Sequence, residues 1–211
     1  MKVKAKLFEY VGVGASIMLI AVGIGAIVIG AIGHSEVGTN LKREQIVGSP
    51  DMTPSAIQAA IKAAGLKNVE GVPTCSVAGK AVDSGSRAKC FAQYMRIHAL
   101  EATDGRPYAD MGQYLTADGK ETSDKAQAAK DPKTGQPVAN GARNVWVTET
   151  ALSTALNTSF FAQQVALFSI VMGIALLLIG IGFLVVTIRW LAAPGTASRR
   201  LASTVPPAET A

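Results

Sequence analysis

Two long runs of apolar residues stand near the ends of the 211-residue chain, with a polar stretch between them. Residues 11–33 form a run of 23 with no charged side chain and one hydroxyl, Ser16. Residues 165–188 form a second uncharged run, of 24. At about 1.5 Å per residue each makes about 35 Å of helix, enough to cross a hydrocarbon core of about 30 Å. The pattern predicts two transmembrane helices. The first run exceeds the roughly 7–15 apolar residues of a secretory signal, so an uncleaved anchor is expected.

Between the spans the periodicity changes. Thr53-Pro54-Ser55 reads as a helix start, with Thr53 as N-cap and Pro54 in the first turn. Ile57, Ala60, Ile61 and Ala64 follow at helical spacing, and Gly65 ends the element. Residues 69–77 read as a strand or an extended loop. Asp83-Ser84-Gly85-Ser86 offers caps for a second helix, with Cys90, Phe91, Tyr94, Ile97 and His98 on one face, ended by Asp104-Gly105-Arg106-Pro107. Residues 116–143 hold one large aliphatic residue past Leu115, Val138, and read as a flexible arm. From Asn144 a helical pattern resumes (Val147, Ala151, Leu152, Ala155, Leu156, Phe160). It either extends the second span as a stalk or lies in the interface. Trp146 is an interfacial anchor or a core residue of the loop domain.

The expected organisation is therefore a cytoplasmic N-terminus at 1–10, a span at 11–33 and an extracytoplasmic loop at 34–164. The loop divides into a packed part (50–115), the arm (116–143) and a juxtamembrane helix (145–164). A second span at 165–188 and a disordered cytoplasmic tail at 189–211 complete it. The fold class is mainly α: a two-helix transmembrane hairpin with a small, mostly helical extracytoplasmic domain.

Charge sets the orientation. Lys2, Lys4 and Lys6 precede the first span, and Arg189, Arg199 and Arg200 follow the second. Basic residues beside spans stay on the cytoplasmic side, so both termini are expected inside and the loop outside. Phe8, Tyr10 and Trp190 then fall at the inner interface as anchors. The formal net charge is +5 and the pI about 9.3. Its position beside the spans accounts for it through anionic lipid, so nucleic acid is not expected as a partner.

Small residues form a stripe on each span: Gly12, Ser16, Gly23, Ala26, Gly30 and Gly33 on the first, Ala166, Ser169, Gly173 and Gly180 on the second. Such residues let helix backbones approach closely in lipid. They predict helix–helix contact within the chain, in a homo-oligomer or with another membrane subunit. Neither span carries an ionisable side chain, which argues against a stand-alone transporter.

Cys75 and Cys90 both lie in the packed part. Two thiols in one small domain outside the cytoplasm pair as a structural disulfide, whereas a redox pair is usually Cys-x-x-Cys. His98 and Glu101, at i and i+3 with Tyr94 one turn earlier, could begin a metal site or general base. A packed or surface histidine is the simpler reading. Serine-triad, paired-carboxylate, phosphate-loop and zinc spacings are missing from the sequence, so no catalytic residue, metal or cofactor is expected.

Residues 143–186, above all Asn144-Val145-Trp146-Val147-Thr148-Glu149-Thr150-Ala151-Leu152 leading into the second span, resemble uncharacterised two-span membrane proteins of actinobacteria. The resemblance implies a bacterial plasma membrane and an oxidising exterior. It brings no activity and no site residues. The function expected is a non-catalytic membrane protein, an anchored interaction module or accessory subunit of a membrane complex. An envelope enzyme using His98 and Glu101, and a sensor signalling through residues 192–211, are the alternatives.

Overall fold

The structure is a computed structural model that describes residues 2–192, with side chains described from Tyr10 to Arg189. It is mainly helical, with four α-helices among the described residues: α1 (Lys2–Arg43), α2 (Pro54–Ala63), α3 (Gly85–Ala102) and α4 (Gly141–Ala192). A 3-10 turn (Tyr108–Asp110) and a two-residue antiparallel pair, β1 (Tyr114–Leu115) with β2 (Glu121–Thr122), lie between α3 and α4. The chain divides into two units. One holds the described residues up to Ala31 and from Leu167; the other is Ile32–Ala166.

In the first unit the facing positions of α1 and α4 are small. Ser16, Gly23 and Gly30 are buried on α1, and Gly173 and Gly180 on α4. Every step between neighbours on one helix is seven residues, the repeat that keeps one seam facing a partner helix. A Cβ added at Gly23 would stand 2.8 Å from the Gly173 carbonyl oxygen, and one at Gly173 would stand 2.7 Å from that of Gly23. Gly180 similarly faces Ile20, and Gly12 faces Thr187. Numbers rise on one helix as they fall on the other, so the contact is antiparallel. The Ser16 hydroxyl donates to the Gly12 carbonyl at 2.8 Å, which satisfies it within its own helix. Ala26 and Ser169 are half-buried at the edge of the seam.

Both long helices outrun their apolar runs. α1 continues to Arg43, where Lys42 and Arg43 complement the negative end of the helix dipole. Gln45 then takes a left-handed conformation, φ 51°, and turns the chain. α4 starts at Gly141, four residues before the expected juxtamembrane helix, and runs without a break into the second apolar run. The expected juxtamembrane helix and the second apolar run are therefore one element. The Asn140 side chain caps it, its Oδ1 accepting from the Ala142 amide at 3.1 Å. At the far end the helix includes 189–192, residues expected in a disordered tail. The rest of that tail lies outside the described residues.

In the second unit α2 forms as expected: Thr53 Oγ1 accepts from the Ala56 amide at 3.2 Å, Pro54 occupies the first turn and Gly65 has φ 65°. α3 is the centre. Cys90, Tyr94 and Ile97 pack with Met52, Ile57 and Val77. A second face made of Ala88 and Ala92 packs with Leu41 at the end of α1, Val82 and Leu156 of α4. Ala99 packs with Met111 and Trp146. The packed part is therefore not confined to 50–115, because α1 and α4 supply two of its walls. Residues 69–77 form an extended loop rather than a strand. At Gly48 the backbone meets another strand-like segment, and an added Cβ would fall 2.0 Å from the Val77 carbonyl oxygen.

The segment expected as a flexible arm instead follows a defined hydrogen-bonded path. Leu115 N donates to Val138 O at 3.0 Å, Val138 N to Ala129 O at 2.8 Å and Ala129 N to Leu115 O at 2.8 Å. The Asp131 carboxylate accepts from the amides of Lys133 and Thr134, each at 2.8 Å, and so closes the turn ending at Gly135. Backbone pairing and side-chain-capped turns shape this segment, a path that its few apolar residues did not reveal.

Candidate functional site

Most ionisable side chains of interest gather around the C-terminal half of α3. His98 lies about a third exposed on that helix. Its Nδ1 is 2.8 Å from the Glu101 carboxylate one turn on, and its Nε2 is 3.4 Å from the Asp51 carboxylate, in the turn before α2. The second approach is a close charge contact without hydrogen-bond alignment, and Nε2 is screened from solvent with no other partner. The Ser49 hydroxyl donates to Asp51 and holds its carboxyl below the usual carboxylate range; His98 adds to the shift.

The i, i+3 pairing of His98 with Glu101 read from the sequence is thus present, while Asp51 is a partner that sequence spacing could not supply. The two carboxylates sit on opposite edges of the imidazole. They do not converge on a common point, as ligands of one metal ion must. Among the described residues no group of three His, Cys, Asp or Glu side chains is arranged to hold a metal.

A shallow cleft of about 460 Å³ opens between α3 and the first turns of α4, beside Met95, His98, Asn144, Val145 and Glu149. Glu149 is buried, and its carboxylate accepts from Ser153 Oγ at 2.7 Å. A larger hollow of about 490 Å³, between the ends of α2 and α3, is lined by Lys67, Glu70, Arg96 and Asp104 and does not include His98. Neither contains a nucleophile paired with a base, and the charges in the larger one are of both signs.

Cys75 and Cys90 are joined, with S–S 2.03 Å and Cα–Cα 6.2 Å. The Tyr94 hydroxyl donates to the Cys75 carbonyl at 2.6 Å, and burial raises the phenol above its ordinary range. The bridge therefore fastens the extended loop 69–77 to α3 from two points one helical turn apart. Trp146 is buried, and its Nε1 donates to the Arg106 carbonyl at 2.9 Å. It is a core residue of this unit and not an interfacial anchor. Arg106 in turn pairs with Glu121 at 3.0 Å, and that hydrogen bond, with one from the Gly112 amide, holds the Glu121 carboxyl below its usual range.

Of the interface anchors, Tyr10 is exposed; the side chains of Phe8 and Trp190 lie outside the described residues. Arg199 and Arg200 also lie outside them. Family models, curated proteins and solved structures provide no match to this chain.

Proposed function

We propose that the chain is a non-catalytic integral membrane protein, whose central unit is an extracytoplasmic interaction module or an accessory part of a membrane complex. The observation that carries this is the exposure of the apolar side chains on both long helices. In the most apolar windows of α1 and α4 only 17% and 11% is buried within the chain. A core helix of a soluble protein would bury most of such a surface. Met18, Ile29, Phe168 and Leu178 instead face outward on helices long and apolar enough to cross a membrane. Hydrocarbon is the solvent that such faces suit.

The paired cysteines support an oxidising exterior for the central unit. The basic residues outside the apolar runs support cytoplasmic termini. The glycine seam is used up within the chain, so partner subunits or further copies would meet the remaining apolar faces or the central unit. The experiment is extraction in mild detergent followed by mass spectrometry of what co-purifies. The expected result is a stoichiometric partner chain or a homo-oligomer. A monodisperse monomer with no enriched partner would sink the proposal.

A further inference from the structure

His98 stands between two carboxylates, and a neutral imidazole carries one N–H and no charge. If Nδ1 holds the hydrogen, it donates to Glu101 at 2.8 Å, and the unpartnered Nε2 lies 3.4 Å from the Asp51 carboxylate, out of hydrogen-bond alignment. If Nε2 holds it, the Nδ1 lone pair faces Glu101 at hydrogen-bond distance. Only the imidazolium attracts both, through a hydrogen bond at Glu101 and a charge contact at Asp51. Nε2 is screened from solvent, so water does not relieve the mismatch.

We infer that His98 is a proton-operated latch: when protonated it fastens the turn bearing Asp51 to α3 through Asp51 and Glu101, and when neutral it releases that turn. The two groups in contact with His98 agree in sign: Asp51 comes from the turn and Glu101 from α3 itself. Glu149 of α4 lines the same cleft, with its carboxylate hydrogen-bonded to Ser153 and Thr150. α2, packed on α3, contributes one charged side chain, Lys62 in its last turn, which makes no ion pair with these acids among the described residues. The Ser49 hydroxyl, and after it the ring, hold the Asp51 carboxyl below its ordinary range, which keeps it a carboxylate beside the ring.

The latched turn matters to its surroundings. Met52, next to Asp51, is buried in the core, and its carbonyl accepts from Val77 N at 3.2 Å and Ser76 Oγ at 3.3 Å. Thr53 caps α2. Release of Asp51 therefore loosens the junction where α2, the disulfide-bearing loop and α3 meet. The inference does not depend on the membrane reading, since every group in it belongs to the central unit.

The test uses the full chain in detergent micelles, with amide hydrogen exchange at Asp51, Met52 and Thr53 measured against a His98→Gln variant at each pH, which cancels the intrinsic pH dependence of exchange. As the pH is lowered from about 8 to about 5.5, wild-type protection should climb about threefold relative to the variant. In an Asp51→Asn background the ratio should stay flat. A flat ratio in the wild type, or the same climb without Asp51, overturns the latch. Ring ¹⁵N shifts of His98 read the wild type directly: two N–H groups at the acid end are expected, and a ring that keeps one N–H down to about pH 5.5 overturns the inference.

Discussion

Cys75, Tyr94 and Cys90 show how single side chains concentrate stability in a unit with few large apolar residues. The bridge spans 15 residues, a loop worth about 3 kcal/mol in the chain-entropy account. Replacing both cysteines by serine should lower the unfolding free energy by about that amount, measured by denaturant titration in detergent. Tyr94→Phe keeps the packing and removes one buried hydrogen bond, at a cost of about 1 kcal/mol. Trp146→Phe should cost about 1 kcal/mol, because the Arg106 carbonyl loses one of its two donors and keeps the Thr103 hydroxyl at 2.9 Å. Glu121 makes a prediction about pH. Its carboxyl is depressed in the fold, so the stability it contributes is present above the unfolded value of about 4.3 and is lost as the pH falls through the lower folded value. Glu121→Gln should therefore lower the melting temperature near neutrality, with the difference shrinking toward zero in strong acid. A difference that grows in acid would refute this account.

Among the elements, the seam between α1 and α4 separates one glycine from another. Gly23 meets backbone atoms of α4, while Gly25, two residues on, has nothing within 4 Å of an added Cβ. Gly23→Leu should force the helices apart and cost about 1–3 kcal/mol or more. Gly25→Ala should be neutral or stabilise by up to about 1 kcal/mol through helix propensity. Thermal aggregation of the two variants in detergent would check the contrast, and equal behaviour would refute the seam. At this scale much was legible in advance. The Thr53 cap, Pro54 and Gly65 mark α2 by local chemistry, and the stripes of small residues mark the seam, though not which of them face the partner helix. The end of α1 was not legible, since a left-handed Gln45 rather than a glycine turns the chain. The start of α4 was missed because Asn140 reads as one more polar residue until the Ala142 amide bonds to it. The alanine face of α3 was missed because alanine carries too little hydrophobicity to mark a buried face by itself.

The orientation proposed for the whole molecule can be tested with two cysteine variants. Lys125→Cys, on the exposed 116–143 segment, should react with a membrane-impermeant maleimide in intact cells. Lys4→Cys should react only after lysis, and Cys75 and Cys90 are occupied by their bridge. Labelling of both sites, or of neither, in intact cells would contradict two spans with internal termini. The amino-acid order by itself determined the two apolar runs, the caps of α2, the pairing of the cysteines and the charge flanking the spans. All four depend on neighbours along the chain or on simple counting. Tertiary structure alone decided that Trp146 is core, that 116–143 follows a bonded path, that α1 and α4 wall the central unit, and that Asp51 stands at the far edge of His98. The reason is physical: hydrophobic length, capping and loop closure act over a few residues. A contact such as Trp146 with Arg106, or His98 with Asp51, joins positions about forty residues or more apart and exists only once the intervening chain has folded.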